Sequence, residues 1–357
     1  MASLPQHVWL ALILLLFPLL FLLKKKLTSN NFPPGPPGLP IIGNLHQLGA
    51  LPHYSLWQLS KKYGPVMLLQ YGRVPTVIIS SAEAAKELFR INDLNSCSRP
   101  RMAGTGRLSY NYLDIAFTPY GDYWREIKKI CVLELFSAKR VQSFQSVREE
   151  ENIFLGGLDT GAIVLVWAVA ELVRNPQVMR KAQEEIRRLI GNKTKVSESD
   201  IHKLEYLKMV VKETLRLHPP GTLLIPRETI SQFSINGYEI HPKTRVEVNV
   251  WAIGRDPKAW KNPEEFFPER FIDKSIDFIG QNYEFLPFGS GRRSCPCMTM
   301  ALSLVEIALA NLLFCFDWKL PGNMKEADIN MEEASGSGLT THKKEALLLV
   351  PVKYELA

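Results

Sequence analysis

The sequence predicts a mainly α-helical domain with a smaller β region, preceded by a membrane anchor. Three observations lead to this fold class. Apolar residues recur with helical spacing over several long segments, while residues 227–250 alternate apolar and polar residues, as a strand-rich region does. Residues 8–23 form an apolar run broken only by Pro18. Helical segments outnumber strands, so the β region is the smaller part.

The N-terminal run predicts an uncleaved anchor. A cleaved signal peptide would carry its positive charge before the apolar run and a small-residue cleavage site after it. Here three lysines, residues 24–26, follow the run, and lysines on that flank keep the following domain in the cytosol. We therefore predict a membrane anchor with a basic stop over residues 1–26, with a signal peptide as the alternative.

Residues 27–40 are predicted to be a hinge. Their proline-rich core, residues 33–38, is stiff and extended, so it should orient a domain against a membrane and stay outside the core. Residues 41–357 then form the main domain.

Further along the chain, turn and breaker residues divide the elements. Two apolar segments around Tyr71-Gly72-Arg73 predict a β-hairpin. Ser80 and Glu83 suggest a capping box that opens a helix. Pro176 separates two helices, and Pro219-Pro220 ends another. The predicted strands cover residues 66–70 and 76–80. The helix that the capping box opens is predicted to end at Arg90, and the other predicted helices cover residues 123–137, 153–173, 177–190, 200–217 and 298–316.

Composition limits the class of protein. The chain has 357 residues, of which 46% are hydrophobic and 22% charged, which is typical of a globular protein. Its net charge of +7 suits an anionic membrane surface or an acidic protein. The longest basic block is the three lysines, and no zinc-finger or RNA-binding signature occurs, so we expect no nucleic-acid partner. The 5 cysteines are odd in number and irregularly spaced, which favours a reducing compartment.

The segment Phe288-Gly289-Ser290-Gly291-Arg292-Arg293-Ser294-Cys295 carries the strongest chemical signal. Its glycines allow a tight turn that approaches a flat ligand closely, and Arg293 can pair with an acidic group of that ligand. The apolar run that follows would place the Cys295 sulfur at a helix N-terminus, where a thiolate is favoured. Cys295 is therefore predicted to be an iron ligand. The alternatives are a loop with a free cysteine, or a metal site formed by Cys295 and Cys297 without haem.

This segment resembles the cysteine loop of the haem-thiolate monooxygenases, the cytochrome P450 family, and especially that of their plant microsomal members. The family pattern Phe-Gly-x-Gly-x-Arg-x-Cys-x-Gly matches through Pro296, and Cys297 stands where the pattern ends in glycine. The resemblance implies the cytochrome P450 fold and haem b as cofactor. It assigns Phe288, Gly289, Gly291, Arg293 and Cys295 to the haem site, with Cys295 as the axial thiolate.

Three further motifs carry the same resemblance. Trp124 and Lys128 resemble the family's Trp-x-x-x-Arg pair that contacts a haem propionate, with lysine in place of arginine. Glu213, Arg216 and Arg270 resemble a structural ion-pair triad that joins a helix to the segment before the cysteine loop.

Asp159 and Thr160 resemble the pair that handles oxygen and protons on the long central helix of the family, and both are predicted to be catalytic. The alternative at this position is a Gly156-Gly157 loop with Asp159 as a helix cap.

The resemblance also implies an internal deletion near residues 151–152. The helices between the family's C-type and I-type helices are missing, so the domain over residues 41–357 is truncated. The remaining substrate pocket is expected to come from residues 101–114, 221–224 and 335–339. Losing the rest would expose apolar surface and admit water.

Two functions follow from these predictions. The first is a single-pass protein of the endoplasmic reticulum membrane that inserts one oxygen atom from O2 into an apolar small molecule, with electrons from NADPH through a flavoprotein reductase. A basic face should receive this acidic partner; its expected members are Lys128, Lys129, Lys212, Arg292 and Arg293. The second is an internally deleted, inactive product that binds haem or misfolds.

Overall fold

The computed structural model describes residues 31–143, 159–272, 275–335 and 339–355. The predicted anchor, residues 27–30 of the hinge, the predicted junction at residues 151–152, and Gly156-Gly157 lie outside the described residues.

The described chain is mostly helical, with three small sheets, as the sequence predicts. The helices, numbered α1 to α11, are Pro52–Tyr63, Ala82–Lys86, Asp93–Ser96, Ala103–Leu108, Asp122–Ile130, Ala138–Ser143, Asp159–Arg174, Pro176–Ile190, Glu205–Leu217, Val250–Ile253 and Met298–Cys315. The strands, numbered β1 to β8, are Val66–Tyr71, Val74–Ile79, Arg227–Glu228, Phe233–Ile235, Tyr238–Ile240, Arg245–Val248, Phe316–Lys319 and Val350–Lys353.

The largest sheet joins the predicted hairpin to the predicted strand-rich region. Its strand order is β1-β2-β6-β3, with β2 and β6 parallel and the other pairs antiparallel. Two two-stranded ladders, β4-β5 and β7-β8, complete the β structure. The sheet therefore ties the chain near residue 75 to the chain near residue 246 and brings the two halves of the protein together.

The main core lies among helices α7, α8, α9 and α11, whose apolar side chains form the largest buried cluster. Helices α7 and α8 meet at an angle of 111°. Pro176 begins α8, as predicted, because proline fits the first turn of a helix but interrupts a continuous one. Of the described helices, α11 alone is long and apolar enough to cross a membrane by itself. Its side chains pack into this core.

The proline-rich segment differs from the prediction because part of it packs against the domain. Pro33 and Pro36 are buried, and the Leu68 amide donates to the Pro34 carbonyl at 2.9 Å. A Cβ on Gly35 would stand 1.9 Å from the Leu68 carbonyl oxygen, so only glycine allows this close approach. The segment is therefore anchored along β1.

Local hydrogen bonding corrects several predicted boundaries. Ser81, not Ser80, caps α2. Ala84 at the third helical position has only a methyl group, which cannot accept the second hydrogen bond of a capping box. The predicted helix over residues 200–217 is interrupted at Leu204, whose ψ of 76° is not helical. A 3₁₀ helix with its own capping box between Ser197 and Asp200 precedes it. Asp and Ser side chains compete for backbone groups and so favour such interruptions.

Candidate functional site

A cavity of about 520 Å³ lies between helices α5, α7, α9 and α11 and the loop that carries Cys295. Most of its lining is apolar, with basic side chains in the wall near α5 and β3. Most of the predicted site residues line it, namely Trp124, Lys128, Thr160, Phe288, Gly289, Arg293 and Cys295. Asp159 and Gly291 do not line it. Residues far apart in the sequence thus meet around one space.

Backbone conformation favours glycine at two positions of the cysteine loop, and at one of them a neighbouring side chain also leaves no room for a Cβ atom. Gly289 has a φ of 68° and Gly291 a φ of 70°, both in the left-handed region that favours glycine. A Cβ on Gly291 would also stand 2.4 Å from Asp93 Oδ1. The turn closes with the Cys295 amide donating to the Phe288 carbonyl at 3.0 Å. This backbone path brings the thiol to the cavity wall.

The position of Cys295 relative to the helix corrects one prediction. Cys297 is the N-cap of α11, so Cys295 precedes the helix terminus by two residues. The sulfurs of Cys295 and Cys297 are 3.5 Å apart and hydrogen-bonded. This hydrogen bond, together with burial, raises the pKa of Cys295. The same hydrogen bond lowers the pKa of Cys297 to about 7, although burial acts in the opposite direction. Without a metal, the lower pKa makes Cys297 the thiol that loses its proton first. A metal cation bound to Cys295 would reverse this order, since a coordinating thiol is deprotonated outright.

Arg293 lies in the cavity wall and keeps one donor free. Its Nε donates to the Cys97 carbonyl at 2.7 Å and one terminal nitrogen donates to the Thr118 carbonyl at 2.7 Å. The other, Nη1, is buried and has no hydrogen-bond partner among the described residues. Burial lowers the pKa of Arg293 to about 10, so it remains charged at neutral pH. A buried unpaired N–H of this kind is costly unless an anion receives it.

Trp124 and Lys128 of helix α5 lie beside Arg293. The Trp124 ring packs against the Arg293 guanidinium, with 3.9 Å between the ring centroid and Arg293 Cζ. The Trp124 Nε1 donates to the Ile115 carbonyl at 2.9 Å. The Lys128 ammonium donates to the Arg292 carbonyl, and burial lowers its pKa. Helix α5 therefore supplies an aromatic support and a second cation to one end of the cavity.

Two more arginines line the cavity, and the sequence reasoning missed both. Arg227 donates to Asp93 at 2.8 Å and to the Ser290 carbonyl at 2.9 Å. Arg99 donates to the carbonyls of Ala116 and Pro226, each at 2.9 Å. Both are buried, and burial lowers the pKa of each. Each adjoins a proline in the sequence, but that pattern does not indicate a ligand.

Among the residues that the structure describes, the charged side chains that line this end of the cavity carry an excess of positive charge. Lys128, Arg99, Arg227 and Arg293 line it, and Asp93 is the carboxylate that pairs with one of them. Buried cations need nearby negative charge. The donor set therefore fits an anionic ligand carrying two carboxylates, at the end of an otherwise apolar cavity with a thiol in its wall. Haem b, with two propionates and an iron, has these properties.

Asp159 and Thr160 begin helix α7, and both are exposed. Thr160 lines the cavity; Asp159 does not, but it accepts a hydrogen bond at 2.9 Å from the hydroxyl of Thr340, which also lines the cavity. The ring of His342 is 3.7 Å from the other Asp159 oxygen. Thr160 is therefore part of the cavity wall, and Asp159 is connected to the wall through Thr340.

The predicted basic face is also smaller than expected. Arg293 turns into the cavity wall, and the Lys212 ammonium donates to the Ile276 carbonyl at 2.8 Å. Arg292 pairs with Asp93 at 3.0 Å while remaining exposed. Lys129 and Arg292 are the exposed members of the predicted set.

Glu213, Arg216 and Arg270 form a buried network. Glu213 accepts from Arg216 at 2.7 and 2.8 Å and from Arg270 at 2.8 Å. The remaining guanidinium donors reach backbone carbonyls between residues 254 and 265. The two guanidiniums thus share one carboxylate in the interior, and helix α9 is joined to the segment that ends at Phe271.

Comparisons with known proteins show the family of this chain. The profile of the family described as Cytochrome P450 matches residues 33–154 and 149–350. The chain is 42% identical to cytochrome P450 71B37 of Arabidopsis thaliana, over 94% of this chain and 98% of the relative. It is 43% identical to cytochrome P450 71B34, over 93% and 95%, and 44% identical to cytochrome P450 71B10, over 90% and 93%, both from the same plant.

These alignments contain a large internal gap. The alignment with cytochrome P450 71B37 extends over 492 positions, but this chain has only 357 residues. The relative therefore carries well over a hundred residues that this chain lacks. The two profile segments meet between residues 149 and 154, where the sequence predicts the junction.

Proposed function

The chain belongs to the cytochrome P450 family, and from that premise we propose that it is a haem-thiolate monooxygenase that acts on an apolar small molecule. The observation that supports this best is a cavity with the Cys295 thiol in its wall and, among the cations at one end, an Arg293 donor without a hydrogen-bond partner in the described residues. The mostly apolar lining supports an apolar substrate.

Cys295 would hold the cofactor through its sulfur, while Arg293 and Lys128, with Trp124 as support, would hold its propionates. Arg99 and Arg227 add two buried donors at the same end. Phe288, Gly289 and Gly291 shape the turn that presents the sulfur. When bound, the haem would activate O2 so that one oxygen atom enters the substrate.

Thr160 and Asp159 would divide the handling of protons. Thr160 lines the cavity, and its hydroxyl would hold a proton there. Asp159 does not line the cavity, but it accepts a hydrogen bond from Thr340, which does. Asp159 would then exchange protons with solvent, and Thr160 would act inside.

We further propose that Glu213, Arg216 and Arg270 serve structure and not chemistry. Residues 1–26 would anchor the protein in the endoplasmic reticulum membrane with its main domain in the cytosol, residues 27–40 would form the connection, and residues 41–357 the shortened catalytic domain. A flavoprotein reductase would supply electrons from NADPH, with Lys129 and Arg292 on the exposed part of its docking surface.

A second candidate function is a haem-binding protein without turnover. Beside the gap in the chain, Leu133 and Leu135 are 55% and 51% exposed. The helices missing between the C-type and I-type helices would leave such surface uncovered and the cavity accessible to water. Water at the site diverts activated oxygen into unproductive chemistry.

The test is to express the full chain with haem supplied and record the spectrum of the reduced carbon monoxide complex. A thiolate-type spectrum that disappears in Cys295→Ser and persists in Cys315→Ser supports haem-thiolate binding; Cys315 is the matched control because it lies outside the cavity wall. Oxygenated product from apolar substrates, with reductase and NADPH, supports the monooxygenase. The same spectrum with NADPH consumption but no product supports the second candidate. A chain that takes up no haem contradicts both.

A further inference from the structure

The side chain of Cys297 lies against the sulfur proposed to bind iron. The two sulfurs are 3.5 Å apart, and Cys297 also lines the cavity. The Cys297 thiol is therefore placed to donate a hydrogen bond to the Cys295 sulfur.

A coordinated cysteine has no proton to donate, because the metal ligand is the thiolate. In the Cys295–Cys297 pair, the proton of the hydrogen bond must then come from Cys297. Hydrogen bonds to a ligand sulfur draw electron density away from the metal and raise its reduction potential.

We propose that the Cys297 thiol is a positioning and tuning residue that donates an S–H hydrogen bond to the Cys295 thiolate and raises the reduction potential of the bound haem. This inference rests on the proposed function, because it requires Cys295 to ligate iron. The matching family pattern has glycine at this position, which carries no thiol.

The backbone permits a clean test by substitution. Cys297 has φ −103° and ψ 22°, a conformation open to any L-residue, so alanine introduces no strain there. Cys297→Ala removes the thiol and keeps the backbone N–H. Cys297→Ser keeps a side-chain donor and is the matched control.

The measurement is the midpoint potential of haem-loaded protein, with resonance Raman of the iron–sulfur stretch as a second readout. We expect Cys297→Ala to lower the potential, with about a fivefold change in the ratio of ferric to ferrous protein at a fixed potential, which is roughly 40 mV for one electron. The iron–sulfur stretching frequency should rise. Cys297→Ser should stay near the unaltered chain in both.

Of two contrary results, the first would overturn the inference alone, and the second would also overturn the assignment of Cys295 as the ligand. The first is an unchanged potential and stretching frequency in haem-loaded Cys297→Ala. The second is loss of the thiolate-type spectrum in Cys297→Ala with its retention in Cys295→Ser, which would make Cys297 the ligand. Failure of the unaltered chain to bind haem would instead overturn the proposed function and this inference with it.

Discussion

Helices α7 and α5, which lie on either side of the missing segment, differ in how they bury their apolar residues. In α7, nine residues between Ile163 and Val173 are buried, and most belong to the main core. In α5 and the π turn that follows it, through Leu135, Trp124 is the only buried residue. Both segments are helical, so helix formation did not depend on burial. The difference shows that tertiary partners, and not helical pattern, decide where the core lies.

The largest effect should come from the buried triad on the well-packed side. Glu213→Ala leaves two buried guanidiniums without their carboxylate, so we expect a loss of about 3–5 kcal/mol in the free energy of unfolding and loss of haem incorporation. Urea unfolding and haem content measure these. Glu332→Ala, which breaks the exposed pair with Lys344, is the control and should change neither. Normal haem content in Glu213→Ala would refute the structural role of the triad.

A pair of leucine substitutions tests the comparison directly. Leu309 of α11 is fully buried, whereas Leu133 is 55% exposed. Leu309→Ala should lower the free energy of unfolding by about 2–5 kcal/mol, because it removes apolar groups that folding buries and leaves a cavity. Leu133→Ala should stay within about 0.5 kcal/mol. Equal losses by urea unfolding would mean that the α5 side is packed as tightly as the core.

A smaller effect concerns a buried carboxylate in the sheet that joins the two halves. Burial raises the pKa of Glu247 to about 7 from an ordinary 4.5, and the Tyr71 hydroxyl is its hydrogen-bond donor at 3.4 Å. The folded state then binds a proton more tightly than the unfolded state. The stabilisation that comes from protonating Glu247 in the folded state is present below about pH 4.5 and is lost as the pH rises toward about 7.

Glu247→Gln should remove this fall in the free energy of unfolding with rising pH. Above pH 7 it should stabilise the protein by up to about 3 kcal/mol. Unfolding free energies measured across this range provide the check. The control, Glu134→Gln on the exposed turn after α5, leaves Glu247 in place and should keep the decline. A decline that survives in Glu247→Gln would assign it to another group.

The sequence predicted those features that short segments specify. The hairpin, the strand-rich region and the cysteine turn were recognisable because glycine, proline and alternating residues act locally. Local patterns fail where side chains compete for backbone groups: the cap lies at Ser81 and not at Ser80, and the helix is interrupted at Leu204. Neighbouring residues on a helix point about 100° apart, so Thr160 lines the cavity and Asp159 does not.

By itself, the sequence determined the family, the proposed ligand loop and the site of the internal gap, because each can be recognised from short runs of adjacent residues. Only the tertiary structure decided which cations share the cavity with Cys295. Arg99 and Arg227 reach it from segments separated by well over a hundred residues, through the β sheet and the loops it aligns. It also decided that Cys297 meets Cys295 sulfur to sulfur, since a spacing of two residues does not determine the turn between them. Charge and burial act through space, and only the folded chain sets those distances.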